Sequence, residues 1–312
     1  MGPVFISSWS NHSSIDIQND QNKHMAPPSP FFALLVFVYF WATALGHLAF
    51  SIWLVTERTG PWGPYAFKQA VPGLAVLAAL GLLVHLGRLY LSANAQRRVQ
   101  MLLFWVTWLA ACGAVDLWLT FTVNEYAHYP QYALLAWLMC KAWDPDLSKG
   151  LVPWIVLGAT ALGVLDELMQ YLWITQSYSH YLDFNDFFVN LLAVLAGVQL
   201  YAGHRVPSRS ERPFWAGWMV VALLVTALAV VALSGRVVQT PPDALVVPPG
   251  GLVCAQASEC TLYLQRTPDY FSSWQAAPRH GRHWVLSPFW GSLLLMGAGS
   301  VMLAFLRWRP RT

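Results

Sequence analysis

The chain of 312 residues is 56% hydrophobic and only 11% charged, and it contains 17 tryptophans. A soluble domain carries about 25% charged residues, so the composition excludes a soluble globular protein, a disordered chain and a disulfide-rich mini-protein. The net charge of +3 is too small to suggest a nucleic-acid-binding protein. The sequence therefore predicts an all-α, polytopic transmembrane helix bundle.

Apolar runs of the chain come in lengths that fit membrane-spanning helices, which need about 20 mostly apolar residues. We count eight of them, and the fourth and the sixth are short for a full span. They are Phe31–Val55, Val71–Leu91, Met101–Val123, Tyr129–Trp143, Leu151–Ile174, Phe187–Ala202, Phe214–Ser234 and Leu286–Trp308. They divide the chain into a polar tail at 1–30, two N-terminal helices at 31–100, a four-helix core at 101–203, and two C-terminal helices at 204–312 with a long loop at 235–285.

The distribution of lysine and arginine predicts the orientation, because these residues favour cytoplasmic loops. With the N-terminus inside the cell, twelve of the eighteen Lys and Arg residues lie on the cytoplasmic side. Four of the other six lie in the long segment Gly235–Val285, where the rule is weak. Both termini are therefore expected in the cytoplasm, and the loop at 235–285 is expected outside.

The cysteines are consistent with this orientation. Cys254 and Cys260 lie six residues apart in the predicted outer loop, where an oxidising compartment favours a disulfide. Two free thiols are the alternative. Cys112 and Cys140 lie in predicted helices and are expected to be small apolar residues of the core.

Two histidines of the first two helices raise the question of a haem. Spacing along the helices places His47 and His85 at different depths of a hydrocarbon core about 30 Å thick. A haem shared by both is therefore not expected. Each is expected to be buried and hydrogen-bonded to a backbone carbonyl.

Polar side chains converge at one level, in the outer third of the bilayer, when helix rise is counted from the predicted ends. The set is Asp116, Glu125, His128, Tyr132, Asp166, Glu167, Gln170, Asp183, Asp186 and Asn190. Ionisable residues inside spans are unfavourable, so each is a functional candidate. No Lys or Arg lies between Lys149 and Arg205, so these carboxyls need a cation, a metal, a proton or hydrogen-bond donors. Capping of the sixth helix is the structural alternative for Asp183 and Asp186.

Three sequence elements resemble the VanZ-like family of membrane proteins, over roughly Leu102–Tyr201. They are Asp166-Glu167-Leu168-Met169-Gln170-Tyr171, Asp186-Phe187-Phe188-Val189-Asn190 followed by Gly197, and His128-Tyr129-Pro130-Gln131-Tyr132-Ala133-Leu134-Leu135. The resemblance implies a multi-pass protein of the bacterial inner membrane with a role in the cell envelope, in a family named for resistance to teicoplanin. It implies no defined reaction. Family members usually carry an arginine shortly before the aspartate that corresponds to Asp186, whereas Gln176–Asn185 contains no arginine and His180 is its nearest basic side chain.

Three functions remain open from the sequence. The first is an envelope protein whose polar site binds or modifies a lipid-linked or cell-wall substrate, by acid–base chemistry or with a divalent metal. The second is an accessory subunit of a membrane complex, held by its aromatic-rich helices and the loop at 235–285. The third is a transporter that uses Asp116 and Asp166. It is less favoured, because the inner half of the core helices has almost no ionisable residues to form a path.

Overall fold

A computed structural model describes residues 29–55, 71–176, 179–205, 207, 233–256 and 259–307. The described helices are α1 Pro30–Val55, α2 Val71–Ser92, α3 Ala95–Trp118, α4 His128–Trp143, α5 Val152–Met169, α6 Phe184–Ala202 and α7 Pro288–Arg307. A 3-10 helix at Val123–Ala127 leads into α4, and a π-helical turn at Gln170–Ile174 extends α5. The predicted tail and the predicted span Phe214–Ser234 fall almost wholly outside the described residues.

Four of these helices are long and apolar enough to cross a membrane. They are Ala95–Trp118, Val152–Ile174, Phe184–Ala202 and Pro288–Leu306. Shorter apolar stretches occupy Pro30–Gly46 of α1 and Val76–Ser92 of α2, and α4 has only 16 residues. The described part of the protein is thus mostly helical, and its apolar helices are those of a membrane protein.

Helix α6 is the centre of the bundle. Nearly all of its residues are buried, and it contacts α3, α4, α5 and α7. Gly197 permits the approach of α4, because a Cβ at this position would collide with the backbone of Ala133. Gly163 of α5 similarly faces the side chain of Asn190, and a Cβ at this position would lie only 3.0 Å from that side chain. Small residues that let helix backbones approach are a general feature of membrane bundles.

Two helices begin earlier than their apolar runs predict, because polar caps start them. Helix α3 begins at Ala95 rather than near Met101, and the Asn94 side chain accepts a hydrogen bond from the backbone N–H of Arg97 at 2.8 Å. Helix α6 begins at Phe184, with Asp183 accepting from the N–H of Asn185 at 2.8 Å. Such caps pair backbone donors that the first turn leaves unsatisfied.

The loop between the last two predicted spans contains five short strands, so the expectation of an all-α protein is wrong in this region. They are β1 Val237–Val238, β2 Leu252–Gln256, β3 Glu259–Tyr263, β4 Ser273–Ala277 and β5 Gly281–Val285. Strands β1, β3 and β2 form one sheet, with β1 parallel and β2 antiparallel to β3, and β4 and β5 form a hairpin. The predicted disulfide is present, and it joins Cys254 to Cys260 across the β2–β3 pair.

Residues 235–285, which we call the cap, pack on the bundle where α5 ends and α6 begins. The Tyr171 hydroxyl donates to the Tyr263 carbonyl at 2.7 Å, and the Leu182 N–H donates to the Leu264 carbonyl at 2.8 Å. A second small core forms there, in which Phe271 and Val285 of the cap join aromatic residues of the bundle. This end of the bundle, the cap end, also carries most of the predicted polar site.

Candidate functional site

His128, the first residue of α4, lies at the middle of a buried polar group. Its Nδ1 is 2.9 Å from Oδ1 of Asn190 and 3.6 Å from Oε1 of Glu167, and its Nε2 is 4.0 Å from Oδ2 of Asp186. Three helices, α4, α5 and α6, therefore meet through these four side chains. We call them, together with Tyr132 and Asp166, the His128 cluster.

Tyr132 follows His128 by one helical turn and connects the cluster to α5. Its hydroxyl donates to Oδ2 of Asp166 at 2.6 Å, and its ring stacks on that of His128 with 5.9 Å between centroids. Both Tyr132 and Asp166 are fully buried. Gln131, which the sequence analysis did not select, approaches the same carboxyl oxygen at 3.5 Å. The Asp166 side chain is thus directed into the bundle and not toward lipid.

Gln170 stands where α5 changes into its π-helical turn. Its side chain donates to Oε1 of Glu167 at 3.3 Å. A π-helical turn widens the helix by one residue and is frequent at functional sites. The geometry links Gln170 to the cluster through Glu167.

Asp183 and Glu125 lie outside the long helices and add two carboxyl groups to this end of the bundle. Burial, and then the nearby Asp186 carboxyl, raise the pKa of Asp183 to about 8. Burial, and then Asp186 and Asp183, raise the pKa of Glu125 to about 10, although Glu125 accepts hydrogen bonds from the N–H groups of Phe121 and Thr122. Both residues also serve the local structure, Asp183 as the cap of α6 and Glu125 in a capping box.

Asp116 is the one predicted site residue that the structure places with different partners. Its carboxyl is 2.6 Å from Nε of Arg279 and 3.4 Å from Nε2 of His280, both in the cap, and the Tyr126 hydroxyl donates to it. We call these four residues the Asp116 group. The expectation that Asp116 shares a level with Asp166 counted only rise along the helices. It could not foresee the cap, which contributes an arginine from 163 residues further along the chain.

Two other histidines lie outside the cluster's described contacts. His180, the basic side chain within Gln176–Asn185, stacks on Tyr270 with 5.5 Å between centroids, and the described ion pairs of the cluster do not include it. His85 is exposed on α2 instead of buried. The side chain of His47 lies outside the described residues.

Asn185 is a structural residue of this region that the sequence analysis missed. Its amide nitrogen donates to the carbonyls of Leu119 and Trp284, and its oxygen accepts from the N–H of Leu286. It thereby joins the end of α3, the start of α6 and the cap. A buried asparagine beside Asp183 and Asp186 was visible in the sequence, but its partners lie about 66 and 99 residues away.

No protein-family model, curated protein or solved structure matches the chain. The resemblance to the VanZ-like family therefore stays a prediction based on the three sequence elements.

The His128 cluster combines an imidazole with three carboxyls in a buried setting. Oδ1 of Asp166 and Oδ1 of Asp186 are buried and have no hydrogen-bond partner within the described ranges. The ion pairs described for these carboxyls involve His128 alone. Such a group can exchange a proton or hold a cation, and both abilities are unusual for a purely structural contact.

Proposed function

We propose that the protein is a VanZ-like bacterial inner-membrane protein that binds or modifies a lipid-linked or cell-wall substrate at the His128 cluster. In this proposal the chain has eight spans with both termini in the cytoplasm, so the cap and the cluster lie at the outer leaflet. The protein acts within the cell envelope.

The separation of basic and acidic residues along the bundle supports this orientation. At the end opposite the cap, Arg97 donates to the carbonyls of Gly203 and Arg205 at 3.2 and 2.9 Å, so the basic segments around α3 and α6 meet there. The carboxyls of the cluster are all at the cap end. Lysine and arginine favour the cytoplasmic side, so the cap end is assigned to the outside.

The burial of the cluster is the single observation that carries the proposal. Asp166 is 0% and Glu167 5% exposed, in a helix that is long and apolar enough to cross a membrane. Carboxyls in such a place are unfavourable unless they have a role or strong partners. Here the partners of Asp166 and Glu167 within the described residues are the imidazole of His128, the phenol of Tyr132 and the amides of Gln131 and Gln170.

A lipid-binding measurement tests the proposal. The full-length protein is placed in phosphatidylethanolamine nanodiscs, and binding of a polyprenyl phosphate is followed by native mass spectrometry. We expect Glu167→Gln to weaken binding at least about ten-fold, as for loss of a hydrogen bond to a charged group, and Asp116→Asn to leave it unchanged. Equal binding by all three proteins, or none by the wild type, would contradict a lipid-linked substrate.

An accessory subunit of a membrane complex is the second candidate, and the surface of the cap favours it. Val246, Leu252 and Trp274 are 88%, 46% and 44% exposed, although the cap lies beyond the spanning helices. Exposed apolar side chains outside the hydrocarbon core mark a contact site where they form one patch. Purification in mild detergent with a second protein at a fixed ratio, together with no lipid difference between wild type and Glu167→Gln, would favour this function.

A further inference from the structure

Three side chains of the His128 cluster form a set that fits one metal ion. His128, Glu167 and Asp186 each offer a ligand atom, and these atoms all lie within 4.8 Å of one another. The three residues come from α4, α5 and α6, so the set is held by the packed centre of the bundle. The spread of the ligand atoms is that of a single ion.

The distances within the set are too long for direct hydrogen bonds. Nε2 of His128 is 4.0 Å from Oδ2 of Asp186, and Glu167 is 3.6 Å from the other ring nitrogen, Nδ1, which already pairs with Asn190. A hydrogen bond between nitrogen and oxygen spans about 2.7–3.2 Å. Ligands that bind one ion at about 2.0–2.2 Å are separated from each other by more than a hydrogen bond. The spacing therefore suits an ion between the side chains better than contact among them.

Asn190 fixes the tautomer and the orientation of the His128 ring. Its Oδ1 is 2.9 Å from Nδ1 of His128, and an amide oxygen can only accept, so the proton lies on Nδ1. The lone pair is then on Nε2, the nitrogen nearest to Asp186. A hydrogen bond that fixes the tautomer and the ring orientation is the usual support of a metal-binding histidine.

An independent observation points to a cation. Oδ1 of Asp186, on a residue only 9% exposed, is buried and has no hydrogen-bond partner in the described part of the chain. The fully buried Asp166 also has an oxygen in this state. A buried carboxylate oxygen without a donor is strongly unfavourable, and no Lys or Arg occurs between Lys149 and Arg205 to neutralise it. A divalent cation would neutralise two of the carboxyls at once.

We propose that His128, Glu167 and Asp186 bind one divalent transition-metal ion of the zinc type. One imidazole with two carboxylates suits Zn²⁺ or Mn²⁺ better than Mg²⁺ or Ca²⁺, which prefer oxygen ligands throughout. Asn190 is a positioning residue, and Tyr132 with Asp166 forms the neighbouring hydrogen-bonded pair. The inference rests on the proposed function of the same site, since a metal would also let an acidic site accept an anionic headgroup.

Metal binding by the purified full-length protein tests this inference. The protein is treated with EDTA in detergent, and Zn²⁺ binding is measured by calorimetry and by elemental analysis. We expect a single Zn²⁺ per chain for the wild type, and affinities at least about ten-fold weaker for His128→Gln, Glu167→Gln and Asp186→Asn. His283→Gln and Asp116→Asn are the matched controls, because they alter a buried histidine and a carboxyl at the same end, and they should bind like the wild type.

Co²⁺ provides a readout that does not depend on the variants folding. In the wild-type protein, visible absorption bands of Co²⁺ with one imidazole and oxygen ligands are expected, and Zn²⁺ should displace them. Absence of Zn²⁺ binding to the wild type, or equal binding by all folded variants, would overturn the metal site. If the polyprenyl phosphate still binds in a Glu167-dependent way without metal, only the metal inference fails. If Zn²⁺ binds and the lipid does not, only the proposed substrate fails.

Discussion

Two groups of carboxyl side chains lie at the cap end, and they differ in burial and in the cation that faces them. In the Asp116 group, the carboxyl and the Arg279 guanidinium are each 29% exposed and form a close ion pair, with His280 nearby. In the His128 cluster, Asp166 and Glu167 are buried, and the described ion pairs involve only a histidine. Similar residues at the same end of one bundle therefore need different explanations.

The position of the cap explains the difference. Arg279 lies between β4 and β5, so it reaches the edge of the bundle at the end of α3. The centre of the bundle at α6 receives apolar cap residues instead, such as Phe271 and Val285. The cap thus provides the Arg279 cation at the edge of the bundle and apolar side chains near its centre. An exposed ion pair contributes little to stability, whereas buried carboxyls without a fixed cation must find another partner.

Removal of a tyrosine hydroxyl from each group should give the largest contrast. Tyr132→Phe leaves the Asp166 carboxyl without its 2.6 Å donor, and we expect a loss of about 1–3 kcal/mol of stability because a buried acceptor loses its partner. Tyr126→Phe should lose under about 1 kcal/mol, since Asp116 keeps Arg279 and water. Thermal unfolding in the same detergent measures both. Equal losses would show that the two groups do not differ as their burial suggests.

The pH dependence of stability should come from the buried group. Burial and the nearby Asp186 carboxyl raise the pKa of Asp183 to about 8 from its ordinary 3.8, and its titratable neighbours are Asp186, Glu125 and His128. When folding raises the pKa of an acid, its contribution to stability is fully present below the pKa of the unfolded state. The contribution is lost as pH rises through the pKa of the folded state. We expect the melting temperature to fall between about pH 4 and pH 8.

Asp183→Asn separates this charge effect from helix capping. Asparagine caps a helix as well as aspartate does, so the bonds to the Asn185 and Asp186 N–H groups are retained. The variant should show a shallower fall of melting temperature with pH, and a higher value than the wild type at pH 8. Part of the slope should remain, because the pKa of Glu125 is raised as well. An unchanged slope would mean that Asp183 does not titrate in this range.

The sequence predicted the bundle and the members of the buried cluster better than it predicted their surroundings. Apolar length reveals helices, and helix spacing places Asp166 and Glu167 one turn from Gln170 and near the level of His128, because these features are local. The cap was not predicted as strands, since its short segments such as Glu259–Tyr263 have no apolar alternation long enough to detect. The partner of Asp116 was not predicted because it depends on how the cap folds back. The helices α3 and α6 begin earlier than their apolar runs predicted, because Asn94 and Asp183 cap them.

The smallest effect should come from the Asp116 group itself. Arg279→Ala removes the contacts at 2.6 and 3.3 Å to the Asp116 carboxyl and the guanidinium that lies 5.0 Å over the Tyr126 ring. Because the pair is partly exposed, we expect a loss of about 0.2–1 kcal/mol, which shrinks further as salt screens the charges. A double-mutant cycle with Asp116→Asn, at low and at high salt, measures the pairwise part. A coupling above about 2 kcal/mol that does not respond to salt would place this pair among buried ion pairs. In that case the coupling energy of the Asp116 group would be that of a buried ion pair. The contrast between an exposed group with an arginine and a buried cluster without one would then not explain how the two groups differ.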